Sequence, residues 1–572
     1  MTRTQNMHGK LGALLGSLLL SVASLNAPAA DAAGPAGKRS PWWANATIYE
    51  IYPRSFQDSN GDGIGDLRGV EQRLDYLKEL GVDAIWLTPF FPSPNADFGY
   101  DVADYTGVAP EYGTMADWDS LVRAARKRGI RILVDFVVNH SSDEHPWFKA
   151  SRSSKDNPKR DWYIWNKGKP GKQPPTNWES IFGGPSWTFD EKTQEWYYHI
   201  FLSKQPDVNW ANPDLRKAMF DVVRFWLDRG ASGFRLDATP YLFEDQSYPD
   251  DPAPKSGQPV WLKPYNSGLP AGNGVLREMR SIVDSYAGER ILLGESSTAT
   301  IEDLRRVYGK NADEINLPMN FLVANLTKLD APTFKKQYED AQTKLDGLPS
   351  VYHFSSHDHS RQWSSFGDGK NNDQIAKLTA TLTLASKGTA LLYYGEELGM
   401  RDMPADVLKA FPLGPKRPVA DDRDKNRTPM QWSPGPGAGF STGASWLPVD
   451  STSSTRNVEM AKKDPDSIYH WYAKLIKLRR ANPALREGAY VPLDAGNAKV
   501  FAFGRMDDHG RPVLVALNTS DTEQAVTISG WPAGVGQHGK ALMESPATGT
   551  REYGQFKLPA FGVVISALDR KH

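Results

Sequence analysis

Gly233-Phe234-Arg235-Leu236-Asp237-Ala238 is the stretch of the sequence that decides the fold. Its apolar residues alternate with Arg235 and Asp237, which is the pattern of a buried strand that ends in a charged pair. A buried arginine and a buried aspartate are costly unless they pair with each other. The stretch therefore indicates either a structural ion pair under a loop or a functional site at a strand end.

Strand and helix patterns alternate on both sides of this stretch. A near-continuous apolar run over residues 130–138 predicts a buried parallel strand, and the apolar spacing of residues 67–80 predicts a helix. Further strands are expected at residues 291–293, 351–354 and 390–394. Repeated strand–helix units of this kind favour a (β/α)8 TIM barrel, with a doubly wound open sheet as the alternative.

Two irregular stretches and one change of pattern predict further domains. Residues 141–208 lack a strong period and are too long for a simple loop, which predicts a small inserted domain after the third strand. A second irregular insertion is expected over residues 245–273. Residues 483–572 carry short β-rich runs, which predict a C-terminal antiparallel β domain. The barrel is thus expected in two parts, at 42–140 and 209–482.

The N-terminus has the pattern of a secretory signal peptide. Basic residues precede an apolar run over residues 11–25, and Ala27-Pro28-Ala29 follows as a cleavage site. We expect residues 1–30 to be removed on export and residues 31–41 to form a disordered leader. The mature protein is then periplasmic or extracellular, without a membrane span. The chain has no cysteine, so disulfides do not contribute to its stability.

The composition favours a neutral ligand. The chain has 67 basic and 68 acidic residues, which gives no indication of nucleic acid or of an anionic membrane surface as a partner. Its 18 Trp and 22 Tyr residues fit a small molecule with apolar faces and polar edges, such as a sugar. The oligomeric state cannot be read from the sequence.

Four of the predicted strands end in polar or ionisable side chains, namely Asn139, His140, Asp237, Glu295, His357 and Asp358. In a barrel, the carboxyl ends of the strands meet at one mouth. Clustered carboxylates at such a mouth suit cleavage of an acetal, in which one protonates the leaving oxygen and another attacks or shields the cationic carbon. The alternative is a two-metal site, with His357-Asp358-His359 as its histidine pair.

A second candidate site lies near the start of the chain, at residues 58–66. Oxygen-bearing residues alternate there around a tight glycine turn, which is how a chain wraps a hard cation. The predicted ligands of a structural Ca²⁺ are the side chains of Asp58, Asn60, Asp62 and Asp66 and the carbonyl of Ile64. The twelfth position of the loop is Gly69 and not glutamate, so the loop departs from an EF-hand. The alternative is a solvated loop of Asx turns. No organic cofactor is expected.

These motifs together resemble the α-amylase family of glycoside hydrolases, family 13. The four signature regions of that family resemble segments 135–140, 233–237, 294–295 and 357–358. Features of its maltase-type α-glucosidase branch resemble segments 98–102, 174–178, 205–210, 394–397, 423–432 and 438–442. The resemblance implies an exo-acting retaining α-glucosidase that releases α-glucose from the non-reducing end of short α-glucosides. It also implies that residues 58–66 form the calcium loop of that branch.

The resemblance further implies a role for each site residue. Asp237 would be the nucleophile that forms a covalent glucosyl intermediate, and Glu295 would be the general acid/base, protonated before the first step. Asp358 would grip the 2- and 3-hydroxyls of the sugar, and Arg235 would keep the nucleophile ionised. The implied sugar-binding residues are Tyr100, which would stack on the ring, together with Asp101, His140, His357, Arg361 and Arg427.

Two positions bear on specificity. Ser355-Ser356 precede His357, where the family often has asparagine, and this affects the contacts to the sugar hydroxyls. Ala238 follows the nucleophile, and in this branch alanine or threonine there goes with α-1,4 linkages and valine with α-1,6 linkages. We therefore expect maltose- or sucrose-type substrates, and the sequence leaves open how far transglucosylation competes with hydrolysis.

Three alternatives remain at this stage. Residues 233–244 also resemble trehalose synthases, so a trehalose synthase or a sucrose isomerase that rearranges glucosides is the first. A non-catalytic relative that acts as a transporter partner is the second, and a carbohydrate-binding protein without turnover is the third. The last two lack support, because the three expected carboxylates, Asp237, Glu295 and Asp358, are all present.

Overall fold

The computed structural model describes residues 40–252, 263–549 and 551–571. The predicted signal peptide, nearly all of the predicted leader and the centre of the predicted second insertion lie outside the described residues. Within the described ranges, no helix combines the length and the apolar character needed to cross a bilayer.

Eight parallel strands form one sheet that closes on itself. In chain order they are Thr47–Ile51, Ala84–Leu87, Arg131–Val137, Gly233–Asp237, Ile291–Gly294, Leu317–Pro318, Ser350–Tyr352 and Gly388–Tyr393. The first strand pairs with both the second and the eighth, and a parallel bridge between Met319 and Val351 joins the sixth and the seventh. The predicted (β/α)8 barrel is confirmed, and the open sheet is excluded.

Helices connect the strands on the outside of the sheet. The longer ones are Leu67–Gln72, Leu74–Leu80, Met115–Lys127, Pro213–Asp228, Pro270–Asp284, Ile301–Val307, Ala331–Lys344, Asn372–Leu384 and Ile468–Ala481. Thr114 and Asp117 form a reciprocal capping box that starts Met115–Lys127. Residues 67–80, expected as one helix, form two. The chain leaves helical geometry at Arg73, whose side chain donates to Gln57 and lies over the ring of Trp432.

The interior of the barrel has an apolar layer below a polar one. The apolar layer includes inward side chains of several strands, among them Ile48, Trp86, Leu133, Leu293, Val351 and Leu391. Successive side chains of a strand alternate in direction, so residues two positions further along point the same way. In this chain those residues include Glu50, Asp135, Glu295 and His353. Strand geometry therefore places ionisable groups at one end of the barrel.

The inserted segment contains a three-stranded antiparallel sheet, built from Trp165–Asn166, Trp187–Asp190 and Glu195–Tyr198. It lies in the chain between the third barrel strand and the helix Pro213–Asp228. The second irregular insertion is shorter than expected, because Pro270 already begins the helix Pro270–Asp284. Proline fits the first turn of a helix, where its missing N–H has no intrahelical partner.

The C-terminal region forms a five-stranded and a two-stranded antiparallel sheet. Their strands are Ala489–Pro492, Val500–Met506, Pro512–Asn518, Gln524–Thr527, Val535–Ser545, Gln555–Leu558 and Val563–Arg570. The predicted antiparallel β domain is confirmed. The sequence missed Ala489–Pro492, Val535–Ser545 and Gln555–Leu558, because many of their side chains are exposed and no apolar run marks them. It also missed the sixth barrel strand, which has only two residues.

Candidate active site

Arg235 lies at the centre of a buried cluster of carboxylates. Its Nη1 is 3.1 Å from Asp135 Oδ1 and 2.6 Å from Asp237 Oδ1, and its Nη2 is 2.9 Å from Glu295 Oε2. One guanidinium thus faces three carboxylates, and the cluster has more negative than positive charge. Full ionisation would leave uncompensated charge in a region of low dielectric constant, so such a cluster retains a proton on one of its carboxyl groups.

Asp237, the last residue of the fourth barrel strand, is one of the three carboxylates of this cluster. Burial raises its pKa well above the ordinary range. Arg235 opposes the increase, and Glu295 and Asp135 add to it. Arg235 was expected to keep Asp237 ionised, but Asp237 shares that arginine with the two other carboxylates. The proton therefore belongs to the cluster and not to one residue.

Glu295 lies beside Asp237 and binds the other terminal nitrogen, Nη2, of the Arg235 guanidinium. Its Oε2 also accepts the N–H of Ala238 at 2.9 Å, and Ala238 has a left-handed φ of 51°. Because both carboxylates bind adjacent nitrogens of Arg235, they lie close together. Two neighbouring carboxyl groups in a pocket suit glycoside hydrolysis, in which such a pair flanks the bond that is cleaved.

Asp358 is surrounded by cations. Its Oδ1 is 3.0 Å from Arg423 Nη1 and 3.0 Å from Arg427 Nη2, and its Oδ2 is 3.1 Å from His357 Nε2. Burial opposes its ionisation, but His357 and the two arginines outweigh this effect and hold the pKa of Asp358 well below its usual range. Asp358 is therefore an anion at neutral pH, in contrast to the proton-sharing cluster around Arg235.

A pocket of about 230 Å³ opens onto these groups. It is lined by Asp97, Tyr100, His140, Ile181, Phe182, Phe201, Gln205, Asp237, Glu295, Asp358 and Arg423. Its size suits a single sugar unit better than a long chain. A larger pocket of about 460 Å³ lies beside the helix Pro270–Asp284, and none of the carboxylates bound to Arg235 lines it. We therefore place the site in the smaller pocket.

Tyr100 and His140 both line this pocket, as expected. The Tyr100 ring stacks on His357 with a centroid distance of 5.2 Å, and its hydroxyl donates to Asp135 at 2.9 Å. His140 Nε2 is 3.0 Å from the Tyr100 carbonyl oxygen. Burial lowers the pKa of His140 to about 3, so this imidazole is neutral.

Asp101 does not line the pocket, contrary to expectation. Its carboxylate accepts hydrogen bonds from the Ser93 hydroxyl and from the N–H groups of Ala96 and Asp97, so it fixes its own loop. Asp97 faces the pocket in its place. The sequence could not separate these two aspartates, because the chain turns between them through left-handed φ angles at Phe98 and Gly99.

Arg361 and Arg427 also lie outside the pocket lining. Arg361 donates to the Tyr394 carbonyl at 2.7 Å and lies over the Tyr394 ring, so it packs beneath the site. Arg427 is fully buried and acts on the pocket only indirectly, by donating to the His357 carbonyl and to Asp358.

Arg423 is the arginine that reaches the pocket, and the sequence reading missed it. Its Nη2 is 2.5 Å from Asp97 Oδ1, so Asp97, Arg423 and Asp358 form a continuous charged wall. Arg423 begins the segment 423–432 that carried part of the family resemblance, and this was the signal that could have identified it.

The inserted domain supplies an apolar wall that the sequence reading also missed. Phe182 and Phe201 both line the pocket, with a ring centroid distance of 5.7 Å. The Phe182 side chain is 48% exposed, which is unusual for a phenylalanine and places it at the rim. Aromatic faces beside charged groups are suited to a sugar ring.

The loop at residues 58–66 is folded around its own carboxylates. Asp58 accepts from the N–H groups of Asn60, Gly61 and Gly63 and from the Ser441 hydroxyl. Asp62 accepts the N–H of Ile64, and Asp66 accepts from Ser59 and from the N–H of Gly69. Nowhere in the described ranges do three or more His, Asp or Glu residues gather in a metal-binding arrangement. The calcium site therefore stays a prediction.

Comparisons with known proteins identify the family of the chain. The family model for the alpha-amylase catalytic domain matches residues 50–488. An oligo-1,6-glucosidase from Halalkalibacterium halodurans is 40% identical over 511 residues, covering 83% of this chain and 90% of that protein. An alpha-glucosidase from Pediococcus pentosaceus is 37% identical over 525 residues, covering 86% of this chain and 93% of that protein. The crystal structure of a trehalulose synthase from Pseudomonas mesoacidophila has a TM-score of 0.84 at 35% identity, covering 93% of this chain and 100% of that one.

Proposed function

The chain belongs to the α-amylase family of glycoside hydrolases, and we propose that it is an exo-acting retaining α-glucosidase. It releases α-glucose from the non-reducing end of short α-glucosides. The observation that carries this proposal is the pair of carboxylates, Asp237 and Glu295, on adjacent nitrogens of Arg235 in a pocket of about 230 Å³. The related oligo-1,6-glucosidase and alpha-glucosidase support the same class of reaction.

The resemblance to the family supports a role for each carboxylate. The protonated form of Glu295 donates its proton to the glycosidic oxygen while the Asp237 carboxylate attacks C1, which breaks the bond to the leaving sugar. Glu295 then accepts a proton from water, and that water displaces Asp237 from C1 to give α-glucose. Asp358, held ionised by its arginines, accepts hydrogen bonds from the ring hydroxyls and stabilises the positive charge that develops on the sugar.

Ala238 supports a preference for maltose- or sucrose-type substrates. Its N–H donates to Glu295, and its side chain packs in the buried apolar cluster that includes Trp178 and Tyr241. A valine there would have to be accommodated by that cluster, one residue away from Asp237. The name of the Halalkalibacterium halodurans relative indicates α-1,6 linkages for that protein. The linkage preference of this chain therefore requires a direct test.

A product assay on purified protein tests the function and the linkage together. Maltose, isomaltose, sucrose, trehalose and starch are incubated separately, and the products and their anomers are followed over time. We expect α-glucose from maltose or sucrose, with little action on starch. A clear preference for isomaltose would refute the linkage proposal alone, and release of β-glucose would refute the retaining mechanism.

Rearrangement of a disaccharide is the second candidate function. The likeness to a trehalulose synthase, at 35% identity over 93% of this chain, favours it. The same assay separates the two candidates. A new disaccharide formed with little free glucose would assign the protein to the isomerising group, and glucose as the main product would exclude that group.

We also propose that residues 58–66 bind a structural Ca²⁺ through Asp58, Asn60, Asp62, Asp66 and the Ile64 carbonyl. In support, Asp58 and Asp66 are 6% and 4% exposed, and no cationic side chain of the described residues pairs with either. Burial raises the pKa of Asp66, and Asp58 adds to the increase, so a cation between them would relieve both effects.

Thermal unfolding with and without a chelator tests the calcium proposal. We expect added Ca²⁺ to raise the Tm of chelator-treated protein and Asp62→Ala to abolish that response, since Asp62 is exposed and contributes little else. Equal Tm values with EDTA and with Ca²⁺, together with metal analysis that finds no bound calcium, would leave the loop as a set of Asx turns.

Export by the N-terminal signal peptide is likewise proposed. The basic and apolar pattern of residues 1–30 supports it. Expression of the full chain followed by N-terminal sequencing of the periplasmic and culture fractions tests it. A mature terminus near residue 30 in either fraction is expected, and an intact N-terminus in the cytoplasm would contradict it.

A further inference from the structure

Glu50 is a fully buried carboxylate that the mechanism above does not use. It lies near the end of the first barrel strand, where it pairs in register with Trp86 of the second strand and Tyr393 of the eighth. Its Oε1 accepts from two atoms of one residue, His357 Nδ1 at 2.6 Å and the His357 backbone N–H at 3.1 Å. Burying a charge at that depth requires a partner, and His357 is the partner.

His357 in turn connects Glu50 to the sugar-binding carboxylate. Its Nε2 is 3.1 Å from Asp358 Oδ2, yet it lacks the alignment of a hydrogen bond with any described residue. A protonated Nε2 in that position lowers the pKa of Asp358 and so favours the anionic form of a carboxylate that lines the pocket. Tyr100 stacks on one side of the imidazole with an interplanar angle of 8°. The Trp86 ring packs against it in a T-shaped arrangement, with a distance of 5.7 Å between the ring centroids. The ring therefore has one orientation.

The charged and titratable groups around His357 come from every neighbouring element. They are Glu50, Tyr52, Tyr100, Asp135, Asp358, His359, Arg423 and Arg427. Within the described part of the chain, only Glu50 and Asp358 contact the ring nitrogens directly, and both are carboxylates. Imidazole between two carboxylates is stabilised in its doubly protonated form.

We infer that Glu50 is a positioning residue that holds His357 as an imidazolium, with Nδ1–H bonded to Glu50 and Nε2–H directed at Asp358, which lines the pocket. The inference rests on the proposed function, because it deepens the account of how that pocket binds the sugar. Burial alone would make His357 neutral, as it does His140. The charges of Asp358 and Glu50 outweigh burial and raise the pKa of His357 to about 9.

The substitution Glu50→Gln tests this inference, because the amide oxygen can still accept from His357 while the negative charge is removed. The pH profile of kcat/KM is measured between pH 5 and 10 with the disaccharide that the wild type cleaves fastest. We expect the alkaline limb of Glu50→Gln to move to lower pH by about 1 to 2 units, since a close carboxylate shifts a pKa by that order. KM rises more than kcat falls, because the lost interaction serves binding.

Glu397→Gln is the matched control. Glu397 is also buried, and it accepts from the hydroxyls of Tyr49 and Tyr76 but does not contact the pocket. Its substitution can lower Tm but leaves the alkaline limb of the pH profile in place. If Glu50→Gln and Glu397→Gln both keep the wild-type profile, Glu50 has only a structural role and the inference is overturned.

A second measurement does not depend on turnover. A histidine whose pKa is raised on folding stabilises the protein fully below its unfolded pKa of about 6.5 and loses that contribution as pH rises through about 9. Thermal unfolding between pH 6 and 10 should therefore show that loss at lower pH in Glu50→Gln than in the wild type. An unchanged Tm profile would overturn the inference, whereas absence of α-glucosidase turnover in the wild type would refute only the proposed function.

Discussion

Two of the regions that contain buried arginines surround them differently. At the mouth of the barrel, Arg235 faces the carboxylates of Asp135, Asp237 and Glu295. Beneath the C-terminal sheet, Arg479 and Arg505 are equally buried, at 1% and 0% exposed, but bind only backbone carbonyls. Among the described residues neither forms a salt bridge.

The difference separates a structural use of buried charge from a chemical one. Arg479 and Arg505 bind carbonyls at the C-terminal end of the helix Asn372–Leu384, where the helix dipole is negative. These neutral acceptors leave the cation without full compensation, and burial lowers the pKa of Arg505 to about 9. Around Arg235 the carboxylates outweigh burial and raise the pKa of the guanidinium. Excess carboxylate leaves a transferable proton, whereas carbonyls only hold chain segments together.

The substitution Asp237→Asn tests the catalytic role of the carboxylates around Arg235, and it has the largest expected effect. The amide cannot form the covalent intermediate, so kcat should fall by at least about 10⁴-fold. The Tm should stay equal or rise, because a desolvated carboxylate with a raised pKa is removed. Activity and Tm are measured on the same preparation. Retention of full activity would show that Asp237 is not the nucleophile.

The substitution Arg505→Met tests the structural role of the buried arginines that bind backbone carbonyls. Methionine fills the space of the stem but leaves the carbonyls of Ala385 and Gly488 without their donor. The free energy of unfolding should fall by about 2 to 4 kcal/mol, because each buried acceptor loses a charged partner. Urea denaturation measures this change, and kcat of the folded variant should match the wild type. A large loss of kcat at unchanged stability would contradict the distinction.

The two aspartates of one loop sharpen the comparison at close range. Asp97 pairs with Arg423 in the pocket, whereas Asp101 accepts hydrogen bonds from its own loop. Asp97→Asn should raise KM by about 10- to 100-fold, since it removes one charged hydrogen bond to the sugar of about 1.5 to 3 kcal/mol. Its effect on Tm should be small, because Arg423 keeps Asp358 and Asp421 as partners. Asp101→Asn, its matched control, should lower Tm with little change in KM. The reverse pattern would restore Asp101 as the sugar ligand.

Two buried histidines, His353 and His357, extend the comparison to the pH dependence of stability, where the expected effect is the smallest. Burial lowers the pKa of His353 to about 3, and neither ring nitrogen has a hydrogen-bond partner among the described residues. The unfolded chain therefore binds a proton that the folded chain does not. The contribution of His353 to stability is lost as pH falls below about 6.5, reaching about 2 kcal/mol at pH 5.

Urea denaturation of His353→Gln at pH 7 and pH 5 measures this contribution. The variant should lose less stability than the wild type between the two pH values, by about 1 to 2 kcal/mol. Parallel losses in the two proteins would show that His353 does not titrate in the unfolded chain as assumed. His357, which lies between two carboxylates, has the opposite pH dependence, because its pKa is raised.

The pattern of apolar residues predicted the strands correctly where all side chains of a strand are buried. The barrel, the carboxylates at its strand ends and the C-terminal β domain all followed from apolar runs and strand-end residues. Strands with exposed side chains, such as Val535–Ser545, and the two-residue strand Leu317–Pro318 left too little pattern to detect. The inserted domain was expected from its length and composition, but the part of Phe182 and Phe201 in the pocket was not.

The sequence by itself determined the fold class, the family and the presence of Asp237, Glu295 and Asp358, because each of these depends on residue type and spacing along the chain. Only the tertiary structure decided that Asp97 and Arg423 face the pocket while Asp101, Arg361 and Arg427 do not. It also brought Glu50 of the first strand against His357 of the seventh strand end. Such outcomes depend on backbone turns and on contacts between residues hundreds of positions apart, which local pattern does not encode.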